Sequence, residues 1–259
     1  MQLTQLIELY TQDQRVNSTY PDSQRQLLSH LIRHISQVEG GEGAIVYSQL
    51  TETTADAAID EQIAWFTAHG QSFEWKAYDY DRSPDLVDRL AARGFMIEES
   101  EAVMVLDLAH IPASLLQPPT QHVQQITTPA ALGSVRAIEE AVWGGGFRWL
   151  EEYLTSALQN YPSQMSIYVA AVGAVPVSAA WIYYPTGSRF ASLWGGSTLE
   201  AYRGQGLYTA LLAVRAQEAR SRNVEYLTVD ASPMSRPILE KFGFVKLAET
   251  FPCKWDVAQ

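Results

Sequence analysis

The sequence predicts an α+β chain of two related halves, each a mixed, twisted sheet flanked by helices. Three observations carry that prediction. Strand-like alternation and helix-like periodicity interleave along the 259 residues, as in mixed sheets rather than bundles or sandwiches. A proline-bearing stretch without periodicity, "DLAHIPASLLQPPTQHVQ" (107–124), lies near the middle. Its two sides also match each other. With Gly94 and Phe95 laid over Gly243 and Phe244, an offset of 149 residues, five further positions coincide. Asp81, Ser83, Pro84, Leu90 and Asp107 fall on Asp230, Ser232, Pro233, Leu239 and Asp256. These identities share one order of strand, "SP" helix start, helix and "GF", which points to duplication. The domain reading is 1–110, a linker at 111–121, and 122–259.

The first half is expected to open with helices at about 2–11 and 22–36. The second of these rests on Leu27, Leu28, Leu31 and Ile35, which recur at helical spacing. "GAIVYSQL" (43–50) and "FEWKAYDY" (73–80) read as strands, with an Ala-rich helix at 55–69 between them. A helix at 84–92 and one or two strands over 95–107 complete the half. In the second half a strand is expected at 122–126. Helices follow at about 129–142 and 147–160, parted by "WGGGF" (143–147). Strands at 166–172 and 177–184 flank "GAVP", and a third covers 189–198. A helix at 206–222 is rich in strong helix formers. The strand 225–230 leads to a helix at 233–242, with Pro233 near its first turn. Strands at 244–248 and 250–257 end the pattern.

Composition narrows the function. The formal net charge of −11 disfavours nucleic-acid binding, which needs a basic face to displace counterions, and suits a cationic partner such as an amine. One cysteine, Cys253, allows neither an internal disulfide nor a cysteine zinc site. The opening "MQLTQLIELY" has no basic n-region or apolar h-region, so a cytoplasmic protein without a signal peptide is expected. The longest uncharged apolar stretch (167–185) is broken by Gly173 and Pro176, so no membrane span is expected.

Three motifs fail on context. Ser197 in "GGSTL" lacks the glycine two residues later that a nucleophile elbow requires, and no histidine follows it. His30 and His34 sit four apart on the expected helix, but Leu31 stands where a zincin has glutamate. No metal is therefore expected. "GGEGAIV" (40–46) precedes a strand instead of following one, unlike a dinucleotide fingerprint.

The segment "RFASLWGGSTLEAYRGQGLYTALL" (189–212) survives. A strand runs into a turn, and a helix opens near Gly206. First-turn amides of a helix lack intrahelical acceptors and carry the positive end of its dipole, so they bind anions. Gly204 and Gly206 let the backbone approach closely, and Arg203 adds a fixed charge.

Residues 198–212 resemble the acyl-CoA signature of the GNAT superfamily: Arg or Gln, two residues, Gly, one residue, then Gly or Ala. The flanking "STLEAYRG", "YLTVD" and "FGF" resemble that family's fourth, fifth and sixth strands, so the likeness covers about 122–257. It implies a GNAT-like fold and an N-acetyltransferase using acetyl-CoA and no metal, with a small-molecule or peptide amine as acceptor. The pantetheine arm would meet Gly196, Ser197 and Thr198. The pyrophosphate would meet Arg203, Gly204, Gln205, Gly206, Leu207, Tyr208 and Thr209. The thioester would enter where the strands ending near Thr198 and Asp230 part. Trp143, Phe147 and Trp149 stand where the family builds its acceptor wall, with Glu151 or Glu152 to draw in a cation.

Two positions depart from the family. Tyr208 replaces a small residue, and Leu239 stands where the family often has its general-acid tyrosine. Asp230 is the catalytic candidate, as base or as a cap of the turn before Pro233. Glu200, Glu249, Cys253, Tyr183 and Tyr184 are weaker ones. The first half has neither glycine nor arginine in "YSQLTETTADAA" and is expected not to bind coenzyme A. The alternative to an enzyme is a non-catalytic acyl-CoA-binding or regulatory protein, which Leu239 suggests.

Overall fold

A computed structural model describes residues 2–258. The chain begins with α1 (Leu3–Tyr10), which runs on into a π-helical turn (Thr11–Val16). Next come β1 (Ser23–Leu27), β2 (Leu31–Ser36), β3 (Gly43–Ser48), α2 (Ala55–Ala68) and β4 (Phe73–Tyr78). α3 (Leu86–Ala91), β5 (Met96–Ile97) and β6 (Glu101–Asp107) follow. The second half runs α4 (Ala113–Leu116), β7 (His122–Ile126), α5 (Gly133–Trp143), α6 (Arg148–Asn160), β8 (Met165–Val172) and β9 (Val175–Tyr183). It ends with β10 (Phe190–Thr198), α7 (Leu207–Ser221), β11 (Tyr226–Ala231), α8 (Arg236–Lys241) and β12 (Val245–Trp255). The two strands expected after Gly243 are thus one, β12.

Contacts divide the chain into two compact units. One holds residues 2–104, Asp230–Pro237 and 246–258; the other holds Val105–Val229 and Ile238–Val245.

In the first unit β1, β2 and β3 pair antiparallel in turn, and β3 pairs parallel with β4. β4 then pairs antiparallel with β12, which also pairs with β5. A parallel pair needs a crossover, and α2 supplies it. The core of this unit gathers Ile45, Ile59, Phe66, Phe73, Trp75 and Leu90. The Phe66 and Phe73 rings stack at 4.1 Å.

The second unit repeats the pattern. β7, β8, β9 and β10 pair antiparallel in turn, and β10 pairs parallel with β11 across the crossover α7. The linker segment carries α4 and packs on α7, where Gln217 Nε2 donates to the carbonyls of Leu115 and Gln117 at 2.8 and 3.0 Å.

The strand–helix–"GF" match extends to hydrogen bonds. α3 and α8 each bury a leucine, Leu90 or Leu239, at 0% exposure. The following glycines take φ 91° and 82°. The amides of Phe95 and Phe244 each return to that leucine's carbonyl at 3.2 Å. This is a helix stop built on a left-handed glycine.

The expected helix at 22–36 is instead the hairpin of β1 and β2. Helical spacing of four apolar residues was outweighed by tertiary pairing. On β2 the consecutive Leu31, Ile32, Arg33 and His34 are all buried, which a helix with one apolar stripe does not produce. Arg33 lies 3.6 Å from the Trp65 ring centroid, and its Nη1 donates to Gln62 Oε1 at 3.1 Å. His30 and His34 therefore share no helix face. Burial pulls the His34 imidazole down to about 4, with the nearby Arg25 charge adding to the effect, and its Nε2 meets Ser18 Oγ at 3.1 Å.

Candidate functional site

Both parallel pairs join only at their first residues. β10 and β11 are in register at Phe190–Tyr226, Ala191–Leu227 and Ser192–Thr228, and nowhere further along. β10 continues six residues to Thr198 alongside β9. Parallel strands that separate halfway leave backbone groups of one strand without a partner on that side. On β10 these belong to 193–198, where Gly195 and Gly196 take φ 67° and 85° and the register with β9 shifts between Gly195 and Ser197. That is a β-bulge, a device that re-aims backbone groups near a site.

The turn after β10 leads into α7. Its N-cap, Gly206, is left-handed at φ 78°, and Gly204 is left-handed at φ 73°. The first α7 amide that finds a carbonyl is Ala210, which bonds Gly206 at 2.9 Å. The amides of Leu207, Tyr208 and Thr209 have no acceptor among the described residues. Alternating left-handed glycines ahead of an open helix start form a nest of N–H groups with a net positive end. Arg203 is exposed, and its Nε donates to the Thr198 carbonyl at 3.3 Å. Gln121 braces the turn by donating to the Gln205 carbonyl at 3.0 Å. No sequence motif marked Gln121.

Tyr208 is half-buried, and its ring turns back over β10. A Cβ at Gly196 would stand 2.9 Å from that ring. Helical side chains lean toward their N-terminus, so the ring covers Gly196 and leaves the backbone amide at the helix mouth. Burial pushes the Tyr208 phenol up, and nearby Arg215 offsets part of this.

The bulge rests on a buried polar chain. Trp143 Nε1 donates to Ser197 Oγ at 2.9 Å, and Ser197 Oγ donates to Glu139 Oε2 at 2.8 Å. Ser178 Oγ donates to the Ser197 carbonyl at 2.7 Å and meets Thr198 Oγ1 at 2.8 Å. Sequence reading missed Glu139. The signal was present, because Val135, Ile138 and Val142 set the apolar stripe of α5 and Glu139 falls inside it.

Asp230 ends β11 and belongs to the first unit, where it forms an ion pair with Lys76 of β4. Burial pulls the Lys76 ammonium down, but Asp230 and the neighbouring Tyr78 and Glu74 outweigh it and hold it well above its ordinary value. The other Asp230 oxygen, Oδ1, is buried without a partner among the described residues. Nearby on β6, burial lifts the Glu101 carboxyl to about 7, against the pull of Lys76.

The remaining candidates have structural work. Leu239 is fully buried and carries no proton. Burial pushes the Cys253 thiol up to about 12. Glu249 holds Lys246 and Ser100. Tyr183 is buried, and Tyr184 lies under Arg222 at 4.1 Å. Glu200 is exposed. Glu151 and Glu152 bind Arg136 and Arg148 at 2.7 and 3.0 Å. These four line a polar cavity of about 600 Å³ together with Thr155 and Ser156. Phe147 and Trp149 sit with ring centroids 6.1 Å apart, and Trp149 is 57% exposed. No group of three or more potential metal ligands occurs among the described residues, and no described helix is long and apolar enough to cross a membrane.

Residues 146–255, which include β10, the glycine turn and α7, match the family model of the acetyltransferase (GNAT) domain. Over that span the chain is similar to a GNAT domain. Solved structures extend the likeness of fold over nearly the whole chain. A GCN5-related N-acetyltransferase from Kribbella flavida is 14% identical with a TM-score of 0.67, over 97% of this chain and 95% of that one. A conserved protein of unknown function from Staphylococcus epidermidis is 12% identical, TM-score 0.66, over 92% and 95%. A tandem GNAT protein from the clavulanic acid biosynthesis pathway is 14% identical, TM-score 0.56, over 88% and 78%. No curated protein matches the sequence. The splayed strands and the open helix mouth both lie within the matched residues.

Proposed function

We propose that the chain is an acetyl-CoA-dependent N-acetyltransferase, in which a primary amine attacks the thioester directly. The observation that carries this reading is the helix mouth of α7, where three amides without protein acceptors follow two left-handed glycines. Such a mouth fits a pyrophosphate, held by the amides of Leu207, Tyr208 and Thr209 and approached by Arg203. The bulge at Gly195–Ser197 turns β10 backbone groups toward the same end of the strand, where a pantetheine arm would pair with them. The Thr198 N–H would stabilise the oxyanion, since the Leu199 N–H is held by the Val177 carbonyl at 2.9 Å. Thiols leave without a strong acid, since their ordinary pKa is about 8.5, so Leu239 does not forbid turnover.

The buried Leu239 favours one second reading, a protein that binds acyl-CoA without catalysis. Calorimetric titration with acetyl-CoA tests both, and absence of binding overturns both. Release of free thiol across a panel of primary amines then separates enzyme from binder. Asp230 enters this reading as base or as structural anchor. Asp230→Asn removes the base and leaves the acidic limb of the pH–rate profile missing if Asp230 is catalytic. If the pair with Lys76 is its whole role, the profile keeps its shape and only stability falls.

A further inference from the structure

The buried polar chain under β10 has a property that a mere packing contact does not need. Glu139 is 3% exposed and Ser197 4%. One Glu139 oxygen accepts the Ser197 hydroxyl, while Oε1 is buried with no hydrogen-bond partner among the described residues. A carboxylate taken from water with one oxygen unfilled costs stability. No charged side chain is among the groups that shift Glu139; burial pushes its carboxyl up, and the Ser197 and Trp143 donors offset part of this. Ser197 Oγ has two lone pairs and one proton. The proton goes to Glu139, and Trp143 fills one lone pair. That indole is 62% exposed, at the end of α5, and the chain beyond it is Gly144, Gly145 and Gly146. Its N–H joins this exposed side chain to the buried Ser197–Glu139 pair.

We propose that Ser197 and Glu139 form the site that receives the acceptor's ammonium group, and that Trp143 Nε1–H holds the place of an ammonium N–H until the acceptor arrives. This rests on the acetyltransferase reading above. A primary ammonium is an N–H donor like the indole but carries the positive charge that the buried carboxylate lacks. It displaces Trp143, whose glycine-flanked position lets the ring turn outward. The ammonium N–H bond then breaks toward Ser197 Oγ as the Ser197 O–H proton passes to Glu139 Oε2. The carboxylate ends as the neutral acid, and the amine keeps the electron pair that attacks the thioester carbonyl. As the C–S bond breaks, the second amine proton goes to the departing thiolate, and Glu139 later returns its proton to solvent. The balance is one ammonium and one thioester consumed, and one amide, one thiol and one proton formed. Ser197 stands one residue before Thr198 on β10, so the amine is delivered to the strand that would carry the thioester.

The test follows the Trp143 indole N–H resonance in the full chain while a primary ammonium is added. The probes are n-butylammonium chloride and tetramethylammonium chloride, which has the charge but no N–H. The expected result is a saturable shift with n-butylammonium alone, lost in Glu139→Gln and in Ser197→Ala. A Trp143 signal that n-butylammonium leaves in place overturns the proposal, as does a response to both salts alike. Kinetics give a second readout with any amine that turns over. Glu139→Gln, which keeps the Ser197 hydrogen bond, lowers kcat on the order of a hundredfold while the acetyl-CoA Kd stays that of the wild type. A Glu139→Gln enzyme with wild-type kcat shows a packing contact only. Loss of acetyl-CoA binding by the wild type would strike the coenzyme reading instead, and the ammonium titration would still decide this one.

Discussion

The two parallel strand pairs share one geometry and differ in what lies between the strands. β3 and β4 are in register only at Gly43–Phe73, Ala44–Glu74 and Ile45–Trp75, three pairs followed by separation, as with β10 and β11. In the first unit Arg15 from the π-helical turn has entered the gap. Its Nε donates to the Val46 carbonyl at 2.8 Å, its Nη2 pairs with Asp81 at 2.7 Å, and its guanidinium lies 3.8 Å from the Tyr78 ring centroid. Arg15 is 1% exposed. The helix mouths differ as well. At α2 the Thr51 carbonyl takes the amides of Thr54 and Ala55, and the threonine hydroxyls bond one another. At α7 two glycines leave the amides open. The first gap is thus filled by an arginine and its helix opens on threonines, while the second helix opens on left-handed glycines.

The sharpest way to break this contrast is to remove the plug. Arg15→Met leaves Asp81 buried without its cation, an arrangement that costs about 3–5 kcal/mol. Denaturant unfolding should show that loss, and the double variant with Asp81→Asn should recover part of it. Acetyl-CoA titration of Arg15→Met should still give one site per chain, because α2 offers no open glycine turn. A second site would refute the requirement for that turn.

Next in size is the carboxyl of Glu101 in the plugged unit. Its value of about 7 lies above the ordinary 4.5. A raised carboxyl contributes stability that is full below the ordinary value and is lost as pH rises through the folded one. Stability should therefore fall between about pH 4.5 and 7, by at most about 3 kcal/mol from this group. Glu101→Gln should flatten that slope, and an unchanged slope would remove Glu101 as its source.

The open mouth is probed by Gly206→Val. A branched residue at φ 78° is strained, and its Cβ would stand 2.8 Å from Gln121 Nε2. Strain of about 1–3 kcal/mol should weaken acetyl-CoA about tenfold or more by calorimetry, and unchanged affinity would place the coenzyme elsewhere. The smallest effect belongs to Arg203→Gln. This side chain is exposed, and its hydrogen bond to Thr198 spans 3.3 Å. Its loss should weaken acetyl-CoA only a few-fold, with the deficit shrinking as salt is raised.

Much of this was legible because it is written in local chemistry. The glycines at 204 and 206, the strand before them and the "GF" helix stops at both ends of the 149-residue offset each require particular residues at particular places. Local pattern failed at 22–36, where helical spacing gave way to a hairpin that only tertiary pairing stabilises. It was also blind to partners far apart in sequence. Arg15 and Asp81, Lys76 and Asp230, and Glu139 and Ser197 are each separated by more than fifty residues. A carboxylate inside an apolar stripe marks Glu139 as unusual, but its partner depends on which strand the helix covers.

The fold class, the matching "GF" helix stops and the glycine turn at the start of α7 were readable in the sequence, because backbone sterics, periodicity and helix dipoles act within a few residues. Only the tertiary structure decided that one cleft is filled and the other left open. It alone paired Asp230 with a lysine and buried a glutamate beneath β10. Those outcomes depend on which side chains meet in a low-dielectric interior, where an unpaired charge is costly and a paired one is fixed in place.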